Sequence, residues 1–177
     1  MPIALLAPSC VLVDLRATGL LRGFAHDPTL TACPERVVVE GLGAGPIDSA
    51  VNAVFVVDAI EAPGGMSPAD RDRLLENLRG RDVLDSARFP TIELRARYRG
   101  TLEAGTLAGE LVVRGAPRAL SMAVGGTRAN DGVVVASGVW EGKLTSLGVK
   151  PFRALLGALK LEDWVRLRLE VRVRVSV

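Results

Sequence analysis

Histidine is nearly missing from this 177-residue chain, where His26 stands alone. Any site built on two imidazoles is excluded, and no serine, cysteine or lysine stands at a recognised spacing from His26 to form a nucleophile and its base. Asp27 beside it fits an ordinary turn leading into Pro28 better than an acid-base or metal pair. Only two cysteines are present, Cys10 and Cys33. They are too few for a disulfide scaffold and badly spaced for zinc, so each is expected as a small buried apolar group.

Charge of one sign is lacking too. Charged residues are 24 % of the chain but the formal net charge is only +2, which argues against a disordered polyelectrolyte and against a whole-molecule field for nucleic acid. Nucleic acid is not an expected partner. No stretch approaches the roughly 20 apolar residues of a membrane-spanning helix. No basic residue precedes Arg16, so the cationic start of a secretory leader is missing and the expected location is cytoplasmic. Gly41-Leu42-Gly43-Ala44-Gly45 lacks the lysine and the following helix of a phosphate loop and reads as a plain loop. Neither a cofactor nor a metal is implied, and the chain does not read as an enzyme.

What is present is alternation. From Trp164 to Val177, Val165, Leu167, Leu169, Val171, Val173, Val175 and Val177 share one parity, and Arg166, Arg168, Glu170, Arg172, Arg174 and Ser176 share the other. That pattern predicts one long strand with an oily and a charged face. Thr91–Arg99 repeats it, with Ile92, Leu94, Ala96 and Tyr98 against Glu93, Arg95, Arg97 and Arg99. Cys10–Thr18, Thr31–Gly41, Ile47–Ile60, Leu107–Arg114, Arg118–Val124, Val133–Trp140 and Glu141–Leu147 are further strand candidates, with turn residues at Gly100, Gly115–Pro117, Gly125–Gly126 and Asn130–Gly132. Ser67-Pro68-Ala69-Asp70 is a helix start, because serine caps free amides and proline suits the first turn. This helix should run to Arg79 and stop at Gly80, and a second short helix is expected over Pro151–Leu159.

Closely spaced strands without regular helix alternation predict a single antiparallel all-β domain over residues 1–177. The last strand, at about 3.3 Å per residue, would span roughly 46 Å, far beyond an ordinary strand, and suits a coiling wall of a lipocalin-like barrel of about eight strands with two short helices. Such a barrel either fills itself or holds one slender ligand. Aromatics, the bulky fillers, are only 4 % of the chain, and Ala96, Ala123, Ala136 and Gly138 leave room along the axis. A hydrocarbon chain there gains about 0.8 kcal/mol per methylene-sized group, so an isoprene unit gains about 4 kcal/mol before ordering costs. Candidate lumen residues are Val13, Leu15, Phe55, Ile92, Leu94, Leu111, Leu120, Met122, Val139, Leu167, Leu169 and Val171. His26, Thr29 and Trp140 are candidates for a head group at the mouth. The competing reading is a filled barrel that acts as an interaction module, its outer arginines 95, 97, 99, 166, 168, 172 and 174 contacting an anionic partner or a membrane surface.

Several segments also resemble a known family. Arg71-Asp72-Arg73, Leu78-Arg79-Gly80-Arg81-Asp82-Val83-Leu84-Asp85 and Phe89-Pro90-Thr91-Ile92 resemble the helix and following segment of the YceI-like polyisoprenoid-binding family. Leu107–Gly115 and Leu144–Phe152 resemble its next two signatures, and Gly23–Leu30 the His-Asp turn of some members. Val83 and Leu84 stand where the family has paired aromatics. The resemblance covers nearly the whole chain and implies an extended antiparallel barrel, often dimeric. It further implies storage or transport of an isoprenoid, such as a quinone tail or polyprenyl phosphate, without catalysis; transient membrane contact is a separate expectation for such a carrier.

Overall fold

The computed structural model describes residues 3–18, 27–40, 46–129, 132–151, 153–154 and 159–175. Ten strands occur in chain order: β1 Ile3–Thr18, β2 Thr29–Ala32, β3 Arg36–Glu40, β4 Ile47–Val56, β5 Thr91–Gly100, β6 Ala104–Val113, β7 Ala116–Arg128, β8 Val133–Gly142, β9 Arg153–Ala154 and β10 Leu159–Val175. Among the described residues one helix, α1, covers Pro68–Arg79, and short 3-10 turns cover Val57–Ala59 and Thr145–Leu147. The sheet runs β2-β1-β10-β8-β7-β6-β5-β4-β3, antiparallel throughout, with β9 paired to β10 beside this path. It curls into a half-barrel, so the all-β antiparallel reading holds.

The two ends of the sheet are the consecutive strands β2 and β3, joined through Cys33, Pro34 and Glu35. Across this seam the described residues form no β2–β3 ladder. Three other links brace it. Thr31 exchanges backbone hydrogen bonds with Glu61 at 3.0 and 2.9 Å, the Glu35 amide donates to the Val54 carbonyl at 2.9 Å, and Cys10 on β1 is joined to Cys33. The cysteines are therefore not separate apolar fillers. The β1–β2 register sets Val11 opposite Ala32, which carries the two flanking sulfurs to one place although 23 positions separate them.

β10 is as long as its alternation requires. Val165 and Leu167 are buried on the inner face, while Arg168 keeps 43 % of its side chain exposed on the outer one. α1 begins as its sequence directs: Ser67 Oγ accepts from the Asp70 amide at 3.1 Å, Pro68 enters the first turn, and Leu74 and Leu78 are buried. Placed between β4 and β5, it seals one end of the curl.

Several expectations of secondary structure differ too, among them the strand expected over Thr31–Gly41, which is divided between β2 and β3. The second helix gives way to a β9–β10 pairing of Arg153 with Lys160 and Ala154 with Leu159, because β10 extends further towards the N terminus and takes these residues into its ladder. Residues 152 and 155–158 of that expected helix lie outside the described ones. Gly125–Gly126 is no turn: β7 runs through it, and Gly126 is glycine because a Cβ there would overlap the Leu102 carbonyl. Glu141 and Gly142 finish β8, and the chain then enters the 3-10 turn that buries Leu147, so no separate strand spans Glu141–Leu147.

Candidate functional site

Strand pleating puts every second residue inside the curl, and these residues line a cavity of about 350 Å³. That is within the range of small-molecule sites. Val13, Leu15, Phe55, Ile92, Leu94, Leu111, Leu120, Met122, Leu167, Leu169 and Val171 all lie on its wall. Val139 does not. It is 52 % exposed on the outer face of β8, because Val134 and Ala136 hold the inward parity of that strand and an odd-numbered neighbour must face out. Ala123 likewise faces outward, between the buried Met122 and Val124 of β7. Gly138 opens no space either, since a Cβ there would meet Met122 Sδ at 3.1 Å. Ala136 does lie on the wall as expected, and Ala53 joins it.

The head-group candidates fare differently. His26 lies outside the described residues. Thr29 turns to the outer face, where its hydroxyl donates to Asp14 Oδ1 at 2.8 Å. Its neighbour Leu30 takes the inward position and is buried on the cavity wall. Trp140 stays on the inner face and packs against the core, but its ring occupies the space over Gly142 and does not line the cavity.

The two ends of the cavity differ in chemistry. At the α1 end the wall is Ile60, Leu78, Leu84, Leu144, Leu147 and Val149, all apolar and all buried. Polar side chains on the wall are Ser9, Ser49, Tyr98 and Thr101, at the opposite end of the curl. No charged side chain lines the cavity among the described residues. Ser9 Oγ accepts from the Arg172 amide at 3.0 Å and donates to the Leu6 carbonyl. The Tyr98 hydroxyl donates to the Thr101 carbonyl, and burial raises its pKa, which keeps the proton in place. Ser49, directly opposite Tyr98 in the β4–β5 register, is 1 % exposed, and its Oγ has no hydrogen-bond partner among the described residues. Parity within Ile47–Phe55 could have flagged Ser49, the one hydroxyl among inward Ile47, Val51, Ala53 and Phe55.

The outer arginines make no single patch. β6, β7 and β8 separate the row on β5 from the row on β10. Most are already neutralised: Arg95 meets Glu93 at 2.6 Å, Arg97 and Arg99 meet Asp48 at 2.7 and 3.4 Å, and Arg166 meets Glu141 at 2.6 Å. Asp48 is held below the usual aspartate range by its hydrogen bond from Arg97. No group of three or more potential metal-ligating side chains occurs among the described residues.

No family model matches the sequence, and no curated protein matches it either. Solved structures do match in shape. BcnA of Burkholderia cenocepacia superposes with a TM-score of 0.68 at 12 % identity, over 94 % of this chain and 96 % of that one. A polyisoprenoid-binding domain from Saccharophagus degradans gives 0.60 at 10 % identity, over 98 % of both chains. The YceI protein of Campylobacter jejuni gives 0.57 at 13 % identity, over 82 % of this chain and 85 % of that one. The chain thus has the fold of YceI proteins.

Proposed function

We propose that this YceI-like half-barrel is a non-enzymatic binder that stores or transports a long apolar lipid of isoprenoid or quinone-like type. The observation that carries the reading is the cavity itself, about 350 Å³ with a largely aliphatic wall free of charged side chains among the described residues. With only a few hydroxyls on it, such a wall leaves most groups of a polar metabolite without a partner, at about 1–3 kcal/mol for each one buried. It rewards each buried isoprene unit by about 4 kcal/mol before ordering costs. The likeness to a polyisoprenoid-binding domain supports the same ligand class. An inventory without a nucleophile–base pair supports the non-catalytic part. The test is lipid extraction and native mass spectrometry of protein purified from its own host. A co-purifying isoprenoid is expected, and repeated recovery of lipid-free protein would reject the proposal.

Loading such a ligand calls for transient contact with a membrane, and a homodimer belongs to the same proposal, with light scattering as its test. The Cys10–Cys33 bond argues against the cytoplasmic location expected from the sequence, because disulfides persist in oxidising surroundings. We place the working protein in such a compartment. Thiol alkylation in intact host cells decides this: blocked thiols before reduction would return it to the cytoplasm.

A further inference from the structure

The cavity holds one polar group that the fold itself leaves unused. Ser49 Oγ is buried on the wall, without a hydrogen-bond partner among the described residues. An orphaned buried hydroxyl is destabilising unless something satisfies it. Its neighbour across the ladder, Tyr98, has already committed its proton to the Thr101 carbonyl and retains only acceptor capacity. Among the described residues this end of the cavity thus offers one uncommitted O–H donor, that of Ser49, beside hydroxyl oxygens that can only accept. It offers no cation among them.

We infer that Ser49 anchors the polar end of the bound lipid, and that this end is a neutral oxygen, an alcohol or a carbonyl, and not a phosphate. The inference rests on the lipid-carrier reading and adds to it the ligand's orientation and head-group class. A carbonyl or an alcohol oxygen accepts from Ser49 Oγ. The hydrocarbon then runs along Val51, Leu94 and Leu111 towards the apolar α1 end. A diphosphate at the same place would bring several negative oxygens into a wall that has no arginine, lysine or histidine among the described residues, at a desolvation cost that one hydroxyl does not offset. The guanidinium of Arg118 is not available there: it lies against Gly148, beside the Thr145–Leu147 turn at the α1 end, and is not part of the wall.

Equilibrium dialysis of the full, delipidated chain against three C20 probes tests this: geranylgeraniol, geranylgeranyl diphosphate and the hydrocarbon phytane. The alcohol should bind at least tenfold tighter than the diphosphate. Ser49→Ala should weaken the alcohol about fivefold, the loss expected for one neutral hydrogen bond, and leave phytane unchanged. Ser49→Cys keeps the shape with a weaker donor and should also weaken the alcohol. Thermal midpoints unchanged or raised will show that both variants fold, since an unpaired hydroxyl has been removed. If alcohol and phytane bind but neither substitution affects the alcohol, the anchor is wrong and the carrier reading stands. If the diphosphate binds tighter than the alcohol and Arg118→Gln abolishes the difference, the polar end belongs at the opposite end of the cavity. If no probe binds, the carrier reading fails as well.

Discussion

Arg168 grips Asp14 on the neighbouring strand through two hydrogen bonds, Nε to Oδ2 at 2.7 Å and Nη2 to Oδ1 at 2.8 Å. With Thr29 donating to the same carboxylate, three strands, β2, β1 and β10, are tied at one point on the outer face. The Arg168 hydrogen bond is the main reason that the Asp14 pKa falls below its ordinary 3.8. A carboxylate depressed in the folded state adds stability above its unfolded value, and that stability is lost as pH falls through the folded one. Acid unfolding should therefore respond to this pair below about pH 4. Asp14→Asn should cost about 1 kcal/mol at neutral pH, discounted because Arg168 is 43 % exposed, and the cost should shrink in acid. Urea titrations of both proteins at pH 7 and pH 3 check it.

Leu74 is fully buried under the end of the curl, and Ser67 caps the helix that carries it. Leu74→Ala should cost about 2–5 kcal/mol through the lost transfer energy and the space left behind. Ser67→Ala should cost about 1 kcal/mol through the lost cap. Chemical denaturation with unchanged m-values would confirm both as losses of native stability.

Removing the Cys10–Cys33 bond as the double serine variant releases a loop whose ends are 23 positions apart. Loop-closure entropy puts the loss at about 3 kcal/mol, a fall of roughly 10 °C in Tm. Calorimetry with and without reductant checks it: reductant should lower the parent to the variant's midpoint and leave the variant unmoved.

Filling the lumen should separate binding from folding. Ala136 stands on the cavity wall beside Val171. Ala136→Phe directs a ring into open space and should lower affinity for geranylgeraniol at least tenfold, with Tm within a few degrees of the parent. Parallel dialysis and thermal melts check the two halves. Undiminished binding by a folded variant would place the ligand elsewhere.

Much of this architecture is legible in the chain. β5 and β10 declare themselves because charged and aliphatic residues alternate with strong contrast, and α1 does so because cap, proline and acid coincide at Ser67–Asp70. β8 is less readable: valines 133, 134, 135 and 139 occupy both parities, so period-two contrast vanishes and Val139 is wrongly turned inward. The pair Gly125–Gly126 mimics a turn, because local composition does not reveal that the Leu102 carbonyl crosses over Gly126. The disulfide is hidden for a similar reason, since it depends on the β1–β2 register and not on spacing alone. Thr29 looks like a mouth residue by its place near a turn, whereas its partner Asp14 comes from another strand.

β1 stands between β2 and β10. One flank of β1 can be occupied early by the short β2, but the other waits for a strand 154 positions later at the Asp14–Arg168 contact and further still towards the start of β1. During ribosomal synthesis that flank stays bare until β10 emerges, and such long-distance pairing is slow and exposes an unpaired edge. A nascent chain of this topology is thus a client for any factor that shields bare strands, and truncation within β10 would leave β1 as a template for aggregation.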